Sequence, residues 1–225
     1  MDLTRESTTL QLLSRRLRGD DGTALIELAL VIPFLFAVTM GILEIGFITK
    51  NNLTLTTSLR LATRSDAQTL SFTDRRYADY YALDIFRSTM QELKSAALNR
   101  VVVYKPTNGV GAAPANCLTT APQTGTAGNG VGYANCNIYG KDQLAALTTG
   151  TTQVDRFGLS ASTASCDSTD WDQFWCPTSR DNTLIGGLDS ICVYGEFTYT
   201  YITKIIPGTT RTVSDKACTQ VEPIS

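Results

Sequence analysis

The chain has 225 residues, 43% hydrophobic and 18% charged, and its 19 basic and 21 acidic residues give a formal charge of −2. That balance offers no strong field for nucleic acid, which is excluded as an expected partner. The absence of histidine removes Ser-His-Asp triads, Cys-His dyads and His-based zinc sites, so no catalytic role and no cofactor are expected.

Residues 1–22 are polar and read as a cytoplasmic leader. Residues 24–48 then run ALIELALVIPFLFAVTMGILEIGFI, and positions 28–43 contain no ionisable group. At 1.5 Å per residue, 28–48 spans roughly 30 Å, enough to cross a bilayer core. The run is too long for the apolar region of a signal peptide, and no A-x-A-like site closes it. Arg15, Arg16 and Arg18 precede it, whereas the first base after it is Lys50. The positive-inside rule predicts a cytoplasmic N-terminus and an exterior from about residue 50.

No Gly or Pro lies between Phe47 and Gln68. One helix over 23–67 is therefore expected, about 65–70 Å long, with Pro33 removing one backbone bond inside it. A second helix is predicted over about 74–98, capped by Ser71 or Thr73, with Tyr77, Tyr81, Phe86, Met90, Leu93 and Ala97 as its apolar stripe. Val101, Val102, Val103 and Tyr104 read as a buried strand. Residues 106–140 carry no charge and read as a long irregular connection, in which Gly125, Gly128, Gly130 and Gly132 supply flexibility rather than a phosphate loop. A short helix over 141–148 follows. A strand over 191–202 has Val193, Phe197, Tyr199 and Tyr201 on one face, and 209–221 returns beside it after Pro207 and Gly208. The expected class is α+β: a transmembrane helix continuing into an extracytoplasmic domain over 68–225, in which a helix packs on an antiparallel sheet.

Six cysteines, Cys117, Cys136, Cys166, Cys176, Cys192 and Cys218, all lie in the second half without a CxxC pair. This pattern suits disulfides in an oxidising compartment, on the side of the membrane that the charge asymmetry assigns to residues after 50. A 19-residue separation makes a local staple from Cys117 to Cys136 reasonable. Asp167, Asp170 and Asp172, between Cys166 and Cys176, form a weak calcium candidate, and a solvated acidic loop is the expected reading. Trp171, Phe174 and Trp175 are expected to pack beside the cysteines.

RRLRGDDG followed by TALIE is the pattern of a type IV prepilin-like leader: bases, a Gly, then a Glu five positions on inside an apolar helix. The segment GTALIELALVIPFLFAVTMGILEIGF resembles the N-terminus of TadE-like proteins, the pseudopilins or minor pilins of Tad/Flp pilus assembly. Gly22, Glu27, Pro33, Gly41, Glu44 and Gly46 carry the likeness, with Ala62, Thr63 and Arg64 at its far end. RVVVY at 100–104, CNIY at 136–139, WCPTSR at 175–180, the 189–201 strand and Val221, Glu222 and Pro223 extend it over the remainder.

The resemblance implies cleavage by a prepilin peptidase after Gly22, leaving Thr23 as the new N-terminus. It implies partners among other pilin or pseudopilin subunits, the Tad assembly machinery and membrane lipid. Glu27, costly inside a membrane, would pair with the α-ammonium of a neighbouring subunit. Glu44 lies about 25 Å further along the helix, as a hydrated interfacial anchor or a subunit contact. Ala37 and Gly41 form a small-xxx-small pair suited to close helix approach. Cys192 and Cys218 stand where relatives tend to have Gly and Arg, which implies a cross-strand pair. Of the fifteen connectivities that six cysteines allow, Cys117–Cys136, Cys166–Cys176 and Cys192–Cys218 is the expected one. Rival readings are a pilin-like subunit of a secretion apparatus and a permanently anchored extracytoplasmic binding protein.

Overall fold

The computed structural model describes residues 21–72, 75–91, 93, 96–107, 111–126, 129–148, 152, 154, 157–159, 165–183, 187–203, 208–221 and 223. Arg15, Arg16, Arg18, Thr73, Gly128, Pro207 and Glu222 therefore lie outside the described residues.

One helix, α1, runs Asp21–Thr69, 49 residues with Pro33 inside it, or about 73 Å at 1.5 Å per residue. Its two halves behave differently. Positions 22–39 are exposed throughout, whereas from Glu44 onward every third or fourth residue is buried. Leu55, Leu59, Ala62 and Leu70 carry that buried stripe into the domain core.

Beyond α1 come α2 (Ala78–Met90), β1 (Ala96–Tyr104), α3 (Ala115–Thr119), β2 (Val131–Tyr133), β3 (Cys136–Tyr139), α4 (Lys141–Ala146), β4 (Ser190–Thr200) and β5 (Thr210–Gln220). The five strands form one antiparallel sheet in the order β2-β3-β1-β4-β5. The architecture is α+β, a long apolar N-terminal helix followed by a smaller domain of helices on an antiparallel sheet.

The sheet is covered on both faces, which explains the unbroken apolar run in β1. Val101 and Val103 join Tyr139, Val193, Phe197 and Tyr199 beneath α1 and α2. Val102 and Tyr104 point the other way, with Cys117, Cys136, Ile138 and Cys192. On this second face, the Arg100 guanidinium donates to the carbonyls of Leu118 and Thr120 and fixes the end of α3. Gly195 marks the helix crossing: a Cβ there would meet Leu55 Cδ1 and Leu59 Cδ2 at 3.1 Å.

Several local expectations are corrected. The second helix covers 78–90 rather than 74–98, because Ala96, Ala97 and Leu98 pair with Tyr199, Thr198 and Phe197 in the sheet. Its buried side is Asp79, Ala82, Leu83 and Phe86, so Tyr77, Tyr81 and Met90 only flank the core. Ser71 does not cap it: its hydroxyl donates back to the Gln68 carbonyl and closes α1. A short turn over Arg75–Tyr77 leads in instead, with no side-chain cap. The supposedly irregular stretch 106–140 contains α3, β2 and β3.

Two of its glycines, Gly130 and Gly132, are packed rather than merely flexible, whereas Gly125 has nothing within 4 Å of where a Cβ would stand. A Cβ on Gly130 would lie 2.3 Å from the Trp171 carbonyl oxygen, and one on Gly132 would lie 2.2 Å from that of Cys136. The period-two face of β4 is as expected, with Val193, Phe197 and Tyr199 buried. The disulfides Cys117–Cys136, Cys166–Cys176 and Cys192–Cys218 all form, leaving no free cysteine.

Candidate functional site

The first half of α1 presents a continuous apolar surface. Leu30 and Phe34 are 75% and 70% exposed, and Leu25, Ile26, Phe36 and Ile42 are similarly uncovered. The helix is long and apolar enough to cross a membrane, with no part of its most apolar stretch covered by the domain. Such a surface is stable only against lipid or other apolar helices, since about 25 cal/mol is lost for each Å² left in water.

Within it Glu27 is exposed, as is Ala37. Gly22, Gly41 and Gly46 have nothing within 4 Å of where a Cβ would stand. The helix passes unbroken through Pro33. Thr23 opens the segment one position after Gly22. Glu27, Ala37 and Gly41 thus stay on the free surface, available to a second molecule.

Glu44 differs from the hydrated interfacial carboxylate expected of it. Ile42 and Ile45 on either side are 65% and 62% exposed, yet Glu44 is fully buried. Its Oε1 accepts the Tyr199 hydroxyl at 2.6 Å and the Ile202 N–H at 3.2 Å, and its Oε2 accepts the Thr203 N–H at 2.9 Å. Three donors from the end of β4 and the following turn therefore converge on one carboxylate. Its hydrogen-bonding capacity is used within the protomer, where it fastens the C-terminal end of the apolar segment to the sheet.

At the far end of α1 lies a buried charge network that takes in Asp170 and Asp172 of the weak calcium candidate. The Arg180 guanidinium donates to both oxygens of Asp66, at 2.9 and 3.1 Å, and to Asp79. The Arg76 guanidinium donates to Asp170 at 2.7 Å and to Asp172. All six side chains are at most 2% exposed. Tyr139 donates its hydroxyl to Asp79, and Asn137 bridges Asp79 Oδ2 to the backbone of Trp175. The Trp175 ring stacks 4.1 Å beneath the Arg180 guanidinium.

Four carboxyls thus face two guanidiniums, an excess of two negative charges if all were ionised. Burial resists that excess. It pushes the Asp66 carboxyl up to about 7 against the opposing pull of Arg180, with Asp79 adding to the rise. Burial likewise pushes Asp172 up to about 7, reinforced by Asp79 and opposed by Arg76. Asp172 Oδ1 is buried without a hydrogen-bond partner among the described residues, as suits a carboxyl that shares in proton uptake.

This arrangement overturns the solvated-loop reading of Asp170 and Asp172; only Asp167 is exposed. Asp170, Asp172 and Cys166 lie close enough for a cation site, but the Cys166 sulfur is committed to a disulfide and Arg76 occupies both carboxyls. The donor set does not suit a calcium ion, which takes six to eight oxygens. Trp171 and Trp175 pack inside as expected, while Phe174 is 38% exposed.

The network joins α1, α2, β3 and both sides of the Cys166–Cys176 loop. In sequence, WCPTSR and CNIY contain its Trp175, Arg180, Asn137 and Tyr139, and the acidic cluster between Cys166 and Cys176 contains its Asp170 and Asp172. No carboxyl partner could be assigned from spacing, because Asp66 lies 114 residues from Arg180.

No curated protein and no solved structure matches the chain. The family model described as TadE-like protein matches residues 22–64, which run from the glycine before the apolar run, through Glu27 and Glu44, to Arg64 near the C-terminal end of α1. Residues 22–64 of the chain are thus similar to the TadE-like family.

Proposed function

We propose that the protein is a minor pilin or pseudopilin acting in assembly of a Tad/Flp-type pilus. It is inserted with its N-terminus in the cytoplasm, cleaved after Gly22 by a prepilin peptidase, and held by residues 24–43 in the membrane or among helices of other subunits. The observation that carries this reading is the pairing of a bare apolar helix in the TadE-like segment with a disulfide-bonded domain at its C-terminal end.

Glu27 gives that helix its register. A charge in an apolar environment costs about 2.5–3.5 kcal/mol on insertion scales. Pairing with the α-ammonium at Thr23 of an adjacent subunit offsets that cost and disfavours other alignments. Ala37 and Gly41 supply the close-approach face. Among the described residues the domain's buried polar network is spent on internal ion pairs.

Intact-mass measurement of the membrane-derived protein, with and without a co-expressed prepilin peptidase, tests the reading. Loss of residues 1–22 only when the peptidase is present is expected. A mature chain still beginning at Met1 would favour a permanently anchored binding protein. Cleavage without any effect of Glu27→Ala on piliation, but with loss of protein export, would favour a secretion-apparatus subunit.

A further inference from the structure

β5 is the outer strand of the sheet, and β4 is its only strand partner among the described residues. It is also long, 11 residues, whereas the opposite edge strand β2 has three. A long unpaired edge is a template for another strand unless something covers it. α1 runs alongside without sealing it: Thr56 Oγ1 donates to Asp215 Oδ2, and Thr63 Oγ1 reaches the Ala217 carbonyl at 3.4 Å. Between them lies a groove of about 360 Å³ lined by Arg60, Thr63, Arg64, Ala217, Cys218 and Thr219.

Arg60 and Arg64 are exposed, and neither guanidinium has an ion-pair or hydrogen-bond partner among the described residues. Their spacing is informative. Four residues of helix rise about 6 Å, and two residues of extended strand rise about 6.8 Å. A strand laid along β5 would therefore bring side chains at alternate positions opposite the two guanidiniums in turn. The complementary pattern is acid-x-acid.

We propose that the β5 edge and the Arg60/Arg64 face of α1 form a docking groove for an extended strand of a different protein, carrying carboxylates two residues apart. Main-chain pairing to β5 supplies affinity and the two guanidiniums supply selectivity. A second copy of this chain does not fit the role. Its single acid-x-acid pair is Asp170 and Asp172, which is buried against Arg76. Lipid headgroups do not fit either: Arg60 lies about 24 Å beyond Glu44 along the helix, whereas the headgroup layer adds only about 5–7 Å to each side of the bilayer core. The proposal stands independently of the pilus reading, because it uses only the domain and the stem of α1.

The test uses the full chain in detergent micelles and a fluorescein-labelled seven-residue peptide alternating valine with glutamate. Three controls are the same peptide with lysine for glutamate, the same peptide with alternate backbone nitrogens methylated, and inorganic phosphate at matched ionic strength. Anisotropy titration is expected to show saturable binding of the glutamate peptide alone, not displaced by phosphate. Arg60→Ala/Arg64→Ala should weaken it about tenfold, and Lys50→Ala should leave it unchanged. Equal binding of the methylated peptide, displacement by phosphate, or indifference to the double variant would overturn the proposal. So would failure of the glutamate peptide to bind. Both arginines are exposed, and tryptophan fluorescence checks that the double variant is folded; the peptide controls decide the matter on the unaltered chain.

Discussion

The Tyr199 hydroxyl donates to the Glu44 carboxylate at 2.6 Å across 155 residues of sequence. This bond joins the point where α1 leaves its bare apolar stretch to the end of β4, the strand between β1 and β5. The domain is thereby tied to the helix at two levels: here, and some 33 Å further along at Asp66, counting 22 residues at 1.5 Å each.

Removing that donor is expected to loosen the nearer tie alone. Tyr199→Phe should destabilise the domain by about 1–2 kcal/mol, since it leaves a buried carboxylate short of one of three donors. Glu44→Ala should cost more, because it also strands the tyrosine hydroxyl and two backbone N–H groups. Thermal melts in detergent rank the two, and an order reversed from this would contradict the proposed division of bonds.

Breaking the far tie should be costlier. Arg180→Met leaves Asp66 and Asp79 buried without their guanidinium, and about 3–5 kcal/mol is expected; Asp66→Ala leaves Arg180 its bond to Asp79 and should cost less. Trp171 and Trp175 are the only tryptophans in the chain, and Trp175 stacks on Arg180. Their emission in a urea titration therefore reports the network directly.

The same network predicts a pH dependence. Asp66 and Asp172 titrate near 7 in the folded protein, against an ordinary value of 3.8, so between about pH 4 and 7 the folded state holds more protons than the unfolded one. Their contribution to stability is then greatest at the acid end of that window and is lost as the pH rises toward 7. Urea midpoints should fall between pH 5 and 7, and Asp66→Asn should flatten the fall. A network that prefers both carboxyls ionised would produce the opposite slope.

Packing at the helix crossing offers a separate check. A Cβ at Gly195 would press on Leu55 and Leu59 at 3.1 Å and on Phe86 at 3.3 Å. Gly195→Val adds branched bulk at the same place and should cost about 1–3 kcal/mol. Differential scanning calorimetry would register it, and a neutral result would mean that α1 can lift from the sheet.

Non-reducing peptide mapping should recover Cys117–Cys136, Cys166–Cys176 and Cys192–Cys218. Loss of the Cys117–Cys136 pair by double serine substitution should cost about 2–4 kcal/mol, because it frees the segment that covers Val102, Tyr104 and Ile138. Six free thiols in the exported protein would contradict the oxidising compartment.

Much of this molecule was legible locally. The apolar run, its length and the charge-free positions 28–43 require a solvent other than water, and no fold of the remaining residues changes that. The period-two pattern of β4 placed Val193, Phe197 and Tyr199 correctly because alternation is a property of the strand itself. The second helix was overextended for the converse reason: residues 96–98 are claimed by partners a hundred positions away in β4, which local periodicity cannot register.

By itself, then, the sequence determined the apolar helix, the α+β class, the wish of six cysteines to pair, and the TadE-like character of residues 22–64. Only the tertiary structure decided what the charges do. Glu44, Asp66, Asp79, Asp170 and Asp172 would each be at home in water as isolated residues. They are buried because folding brings Tyr199, Arg76 and Arg180 within hydrogen-bonding distance, and the cost of desolvating a carboxylate is offset only where such donors converge.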